Sequence, residues 1–202
     1  MKKIVIIVIS YIIFSVLFDS CWQKPDYYKL SSINSKLFRI TGFETVGLAQ
    51  IQTYSVEDVN VSEDTLKIRY DSIGIEINTE NLLAQSTVFQ HNSFGISPVY
   101  ALEKVIEYEK IVDIIITSDK DYNSFYPAGT DLKQIFMISE EHNVSATHIS
   151  NFLQNYDARI KTVFLKLLYA PEKEEVHTIK IKYKTENNNE YETTVKSVMI
   201  LK

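Results

Sequence analysis

Thr178-Ile-Lys-Ile-Lys-Tyr-Lys184, then Thr-Glu-Asn187-Asn-Asn189-Glu, then Tyr191-Glu-Thr-Thr-Val-Lys-Ser-Val-Met-Ile-Leu201, is the stretch that decides the fold. Apolar and polar side chains alternate on both sides of three asparagines. Successive side chains on a strand point to opposite faces, so this period of two is the pattern of a half-buried strand. Asparagine accepts the positive φ that tight turns demand. The two runs therefore predict an antiparallel hairpin.

The same period recurs upstream. Leu66 to Tyr70 alternates, and after Asp71-Ser72 the run Ile73 to Ile77 alternates again, as a hairpin or as one long strand bent at that point. Ile111 to Thr117 is a nearly continuous β-branched run with Asp113 as its one charge, which predicts a central strand covered on both faces. Thr162 to Tyr169, ended by Ala170-Pro171, is a further strand, as are Leu37 to Ile40 and Val46 to Tyr54. Helical signals are few. They are Thr79 to Gln85, capped by Asn78 or Thr79, then Thr130 to Phe136, and Ala146 to Tyr156. Many short strands with one to three short helices predict an antiparallel β-sandwich with Ig-like, Greek-key connections. A jelly roll and an irregular α+β arrangement are the alternatives.

The N-terminus carries a different signal. Lys2 and Lys3 precede an uncharged apolar run from Ile4 to Phe18, which is the layout of a secretory leader and is shorter than the roughly 20 residues of a membrane span. Leu17-Phe-Asp-Ser-Cys21 resembles a lipobox, the site where bacterial lipoproteins are acylated on cysteine and cleaved before it. Ser20 supplies the small residue required there, while Phe18 and Asp19 follow the looser pattern of Bacteroidetes lipoproteins. Cys21 is the one cysteine in the chain, so a disulfide is excluded and acylation gives the thiol a role. The expected organisation is a signal-peptide helix over 1–20, a lipidated tether over 21–36 and a β-sandwich-like domain over 37–202. The expected location is the cell envelope, anchored by lipid in the outer membrane.

Ile111-Val-Asp-Ile-Ile-Ile-Thr-Ser-Asp-Lys-Asp-Tyr-Asn-Ser-Phe-Tyr-Pro-Ala-Gly-Thr-Asp-Leu132, followed by Phe136, resembles a segment of uncharacterised Bacteroidetes lipoproteins similar in length to this chain. The resemblance implies a strand-rich, membrane-tethered protein. The family is a domain of unknown function, so no catalytic residue carries over from it.

Charge narrows the partners. The net charge of −5 becomes −6 once Lys2, Lys3 and Asp19 leave with the leader, and the remaining Lys and Arg are interleaved with acids. A phosphate backbone needs clustered cations, so nucleic acid is not an expected partner. The expected partners are the membrane, through the N-terminal lipid, and a glycan or protein ligand. No motif calls for a cofactor.

Candidate sites are sparse. Asp119, Asp121 and Asn123 place oxygens at alternate positions, as a calcium loop begins, but Ser124 stands where its glycine belongs and Thr130 where its bidentate glutamate belongs. The stretch therefore reads as a polar loop in which Asp131 caps a short helix, and the three residues are weak metal candidates. Tyr122, Phe125 and Tyr126 crowd the same loop and are weak binding candidates, because exposed rings stack on sugars or anchor protein partners. Thr65 and Ser72 lie in Asp-Ser/Thr-apolar tripeptides that match the O-glycosylation sequon of Bacteroidetes.

Neither a nucleophile elbow nor a phosphate-binding glycine loop occurs, and His91, His142, His148 and His177 lack ligand spacing. The sequence thus supports a non-enzymatic envelope lipoprotein that binds an unidentified ligand. The alternative is an envelope hydrolase acting on glycan or peptide through carboxylates on separate strands. Replacing Cys21 with alanine is expected to abolish metabolic labelling with palmitate, and labelling that persists would show that Cys21 is not the acylated residue.

Overall fold

The computed structural model describes residues 26–46, 51–59, 65–85, 106–141, 146–156 and 159–202; the leader and Cys21 lie outside them. The chain forms two units, Met1–Lys29 with Leu83–Glu107, and Leu30–Leu82 with Tyr108–Lys202. In the first unit the described residues are strand ends only, and the packed core belongs to the second.

The C-terminal runs pair as predicted: β10 (Val176–Thr185) and β11 (Glu190–Leu201) are antiparallel, with Lys184 opposite Glu190 and Asn188 at φ 60° in the turn. His177, Ile179, Ile181, Tyr183 and Thr185 of β10 all point inward. On β11 the phase would fail after Val195 but for an irregularity at Lys196–Ser197, with Ser197 at φ 58°. An extra residue in one strand of a pair reverses the facing of the side chains beyond it. Val198 and Ile200 are buried as a result.

Two sheets make the sandwich. One runs β3 (Leu66–Arg69), β11, β10, β6 (Ile111–Ser118). The other runs β2 (Ile51–Asp58), β1 (Asp26–Val46), β4 (Ile73–Gln85), β9 (Thr162–Leu167), β7 (Phe136–Ser139), β8 (Thr147–His148), with β5 (Ile106–Tyr108) also paired to β1. β1 with β2, β4 with β9, β9 with β7, β7 with β8, β11 with β10 and β10 with β6 are antiparallel, and β3 with β11 run parallel. The fold is thus mainly β, two antiparallel-dominated sheets in a sandwich-like arrangement. Inward residues of both sheets, among them Ile75, Ile77, Ile116, Ile138, Leu165, Ile181 and Ile200, join one core. Each such side chain contributes about 1.5–3 kcal/mol by leaving water.

Several local expectations are corrected. Ile111–Ser118 is an edge strand, not a central one: Ile114 and Ile116 are buried while Val112 is 54% exposed. Residues 66–77 form neither a hairpin nor one continuous strand, because the chain changes sheets at Tyr70–Ser72. There Tyr70 N–H donates to the Leu201 carbonyl, and Ile40 N–H donates to that of Ser72. Thr79–Gln85 continues β4 instead of forming a helix, drawn into the sheet as Thr79 N–H bonds the Lys161 carbonyl. Residues 26–36, expected as tether, are the first part of β1, with Leu30 and Ile33 in the core. Of the strand expected over residues 46–54, Val46 ends β1 and Ile51 to Tyr54 begin β2, with Val46 opposite Ile51; residues 47–50 lie outside the described residues. The remaining helical expectations shrink to a 3-10 turn at Lys133–Ile135 and the helix α1 (Ile149–Gln154).

The hairpin tip is fastened from within. Glu109 is buried, and its carboxylate accepts from Thr185 Oγ1 (2.6 Å), Asn189 Nδ2 (2.8 Å), Asn187 Nδ2 (3.3 Å) and the Leu30 N–H (3.1 Å). Burial pushes its pKa up, but those hydrogen bonds to the anion outweigh burial and leave it below the ordinary value.

A second apolar contact lies on the outer face of the larger sheet. The buried Phe38 ring crosses Gly74 and meets Phe164 edge-on, with centroids 5.8 Å apart. A Cβ on Gly74 would stand 2.0 Å from Phe38 Cζ, so only glycine leaves room for the ring. Gly74→Ala is expected to lower stability by about 1–3 kcal/mol through this overpacking. The lower urea midpoint should be largely restored in the double variant with Phe38→Leu; a single variant as stable as the parent would contradict this packing.

Candidate functional site

An edge strand exposes a row of backbone groups that need partners. The loop after β6 turns back along that strand and provides them. Gly129 N–H donates to the Ser118 carbonyl (2.8 Å), Leu132 N–H to that of Ile116 (2.7 Å), and Asp131 Oδ1 accepts from the Ile116 N–H (3.2 Å). Asp131 Oδ1 also accepts from the Lys133 N–H, while Leu132 occupies the cap position of the 3-10 turn and makes no side-chain cap bond. Asp131 therefore secures the edge of the sheet as well as the turn.

The same loop holds the polar and aromatic candidates. Asp119 Oδ1 accepts from the Thr178 N–H, Asp121 Oδ1 from the Ala128 N–H, and Asn123 Oδ1 from the Phe125 and Tyr126 N–H groups. Their oxygens shape the loop, and among the described residues no group of three or more His, Cys, Asp or Glu could hold a metal. Tyr122, a weak binding candidate, lies in the core: it is 1% exposed, and its hydroxyl donates to the Tyr169 carbonyl. Tyr126 is half-buried against the core, and Phe125 alone of the three is open, at 84%. Thr65 is exposed ahead of β3, whereas Ser72 is half-buried in the corner with its hydroxyl on Asp71 Oδ1. Cys21 lies outside the described residues.

The loop ends at a feature the sequence did not reveal. Between the start of β6, the 3-10 turn and α1 lies a cleft of about 450 Å³, within the roughly 300–1,000 Å³ range of ligand pockets. Ile111, Val112, Leu153 and Tyr156 supply its apolar wall; Lys110, Asp113, Lys133, Ser150 and Gln154 supply its polar groups. Lys133 Nζ bonds Asp113 Oδ1 and stands 3.5 Å from Asp131 Oδ2. Partial burial lowers the pKa of this ammonium, but the two carboxylates outweigh that effect and hold it above the ordinary lysine value. The cleft thus holds a fixed ion pair. Asp113 is visible in the sequence as the one charge in a β-branched run, but nothing local links it to Lys133 or to the helix.

Below the loop sits a buried histidine. His177 is 1% exposed; its Nδ1 lies 2.9 Å from Ser118 Oγ, which also accepts from the Lys120 N–H, and its ring lies under Tyr122 at 5.8 Å. Nε2 has no hydrogen-bond partner among the described residues. Burial lowers the imidazole pKa, and Asp119 and Glu175 raise it by less.

These elements define the class of architecture: a two-sheet β-sandwich whose covered edge strand borders a cleft. Comparison with family models, with curated proteins and with solved structures finds no match.

The histidine makes a pH prediction. Because the folded-state pKa lies below the unfolded value of 6.5, the unfolded chain binds a proton first, and stability falls as pH drops below about 6.5. The slope from this group is at most about 1.4 kcal/mol per pH unit. Urea midpoints taken from about pH 7.5 to 5 should show this loss in the parent and lack it in His177→Gln, and equal slopes would exclude His177 as its source.

Proposed function

We propose that this chain is a non-enzymatic envelope lipoprotein, held to the membrane through acylated Cys21, and that its β-sandwich domain is a binding module. The observation that carries the binding part is the cleft beside β6, where an apolar wall faces a fixed Lys133–Asp113 pair. Apolar walls with a few fixed polar groups are the composition of ligand sites. The leader and the lipobox-like Leu17–Cys21 support the anchor, and the likeness of residues 111–136 to a Bacteroidetes lipoprotein family agrees with it. The open Phe125 ring is a further exposed aromatic of the kind that anchors partners.

A two-carboxylate hydrolase is less well supported by the same cleft. Asp113 is its one lining acid among the described residues, and an ammonium holds it. Glycoside hydrolysis needs a second carboxyl across the scissile bond, with one of the two protonated.

Native mass spectrometry of the full chain, exposed in detergent to a digest of cell-envelope polymers, tests the reading. A solute retained and released with unchanged mass, and lost in Gln154→Ala, is the expected result. Cleaved products that disappear in Asp113→Asn would establish the hydrolase instead.

A further inference from the structure

Resting on the binding reading above, we infer that the cleft takes a neutral saccharide, bound by the Lys133–Asp113 pair, Ser150 and Gln154 over the apolar wall of Val112, Leu153 and Tyr156. Charge is balanced in the cleft. Lys110 and Lys133 oppose Asp113 in the lining, and Asp131 bonds the same Lys133 from just outside, so the local formal charge cancels. A site built for phosphate or carboxylate would keep an excess of cations, and one built for an amine an excess of anions. This site keeps neither.

Its donors and acceptors are mixed in the same way. Asp113 can only accept, Lys133 can only donate, and Ser150 and Gln154 can do both. A sugar hydroxyl also donates and accepts, so adjacent hydroxyls can be satisfied by such a mixture without any group being left charged and alone. Side chains fixed in advance lose little freedom on binding. Lys133 is fixed in this way, because Asp113 and Asp131 hold its head while its own N–H is bonded to Asp131.

The wall suits the apolar side of the same ligand. Tyr156 is half-buried, with its ring 5.5 Å from that of Phe152 and its hydroxyl donating to the Ile160 carbonyl. The ring is held from two sides while lining the cleft, and Leu153 and Val112 continue the apolar surface. The C–H face of a pyranose is an apolar surface of the kind such a wall covers, whereas an extended peptide would seek a free strand edge. Here the Ile114 N–H beside the cleft is bonded to Asp113 Oδ1, and farther along the edge Ile116 and Ser118 are bonded to the loop.

The full chain in detergent micelles should be titrated with maltotriose, cellotriose and chitotriose, and in parallel with trialanine and inorganic phosphate, while the amide resonances of residues 150–156 are followed. At least one saccharide is expected to shift Ser150, Leu153 and Gln154, with an affinity unchanged by added salt. Gln154→Ala and Ser150→Ala, both at exposed positions of α1, should each weaken binding about fivefold. Tyr156→Ala should abolish it, and the two helix variants keep the test decisive should that substitution unfold the domain. Shifts with trialanine or phosphate but with none of the saccharides would overturn the saccharide assignment and leave a binding module. Resonances unmoved by every probe would overturn the assignment of the cleft itself.

Discussion

The structure depends on how the open edge of β6 is closed. A four-stranded sheet that stops at Ile111–Ser118 leaves N–H and C=O groups facing outward, and each would cost free energy if left buried and unpaired. Gly129, Asp131 and Leu132 satisfy three of them with a loop instead of a fifth strand. That solution has consequences on both sides. It carries Tyr122 into the core at one end, and at the other it delivers Asp131 and Lys133 to the mouth of the cleft.

Parts of this are legible in the sequence because the information is local. The alternation of β10, the three asparagines and the strand at 162–167 are readable from near neighbours, and they place β10, β11 and β9 correctly. Sequence pattern misleads where distant residues decide. The β-branched run at 111–117 suggests flanking strands on both sides, but the cover on its outer edge comes from a loop. Residues 79–85 lack β-branched side chains after Thr79, yet pairing with neighbouring strands overrides propensity. Leu30 and Ile33 sit in a polar-looking segment, and distant partners hold the chain in the sheet there, among them the buried carboxylate of Glu109 on the Leu30 N–H and the Glu80 carbonyl on the Ser31 hydroxyl.

The site divides in the same way. Polar oxygens at 119, 121 and 123 are recognisable as loop chemistry, but their partners, the amides of Thr178, Ala128, Phe125 and Tyr126, are set by the fold. The aromatic cluster cannot be sorted into buried and open rings from composition, since Tyr122 reaches a carbonyl of the segment after β9. The cleft is out of reach altogether. It gathers residues 110–113, 133, 150, 153, 154 and 156; Ser150 and Gln154 share the i, i+4 spacing of one helix face, but no spacing links them to Asp113 or Lys133.

The Glu109 node bears on how this protein can be handled in the laboratory. Hairpin tips are usually the places where foreign sequence is accepted most readily. Here Asn187 and Asn189 reach from the tip to a buried anion that no cation accompanies among its hydrogen-bond partners. An epitope spliced between them would threaten two of the four donors that hold this buried charge, so the most tag-friendly turn by appearance is the one whose length matters.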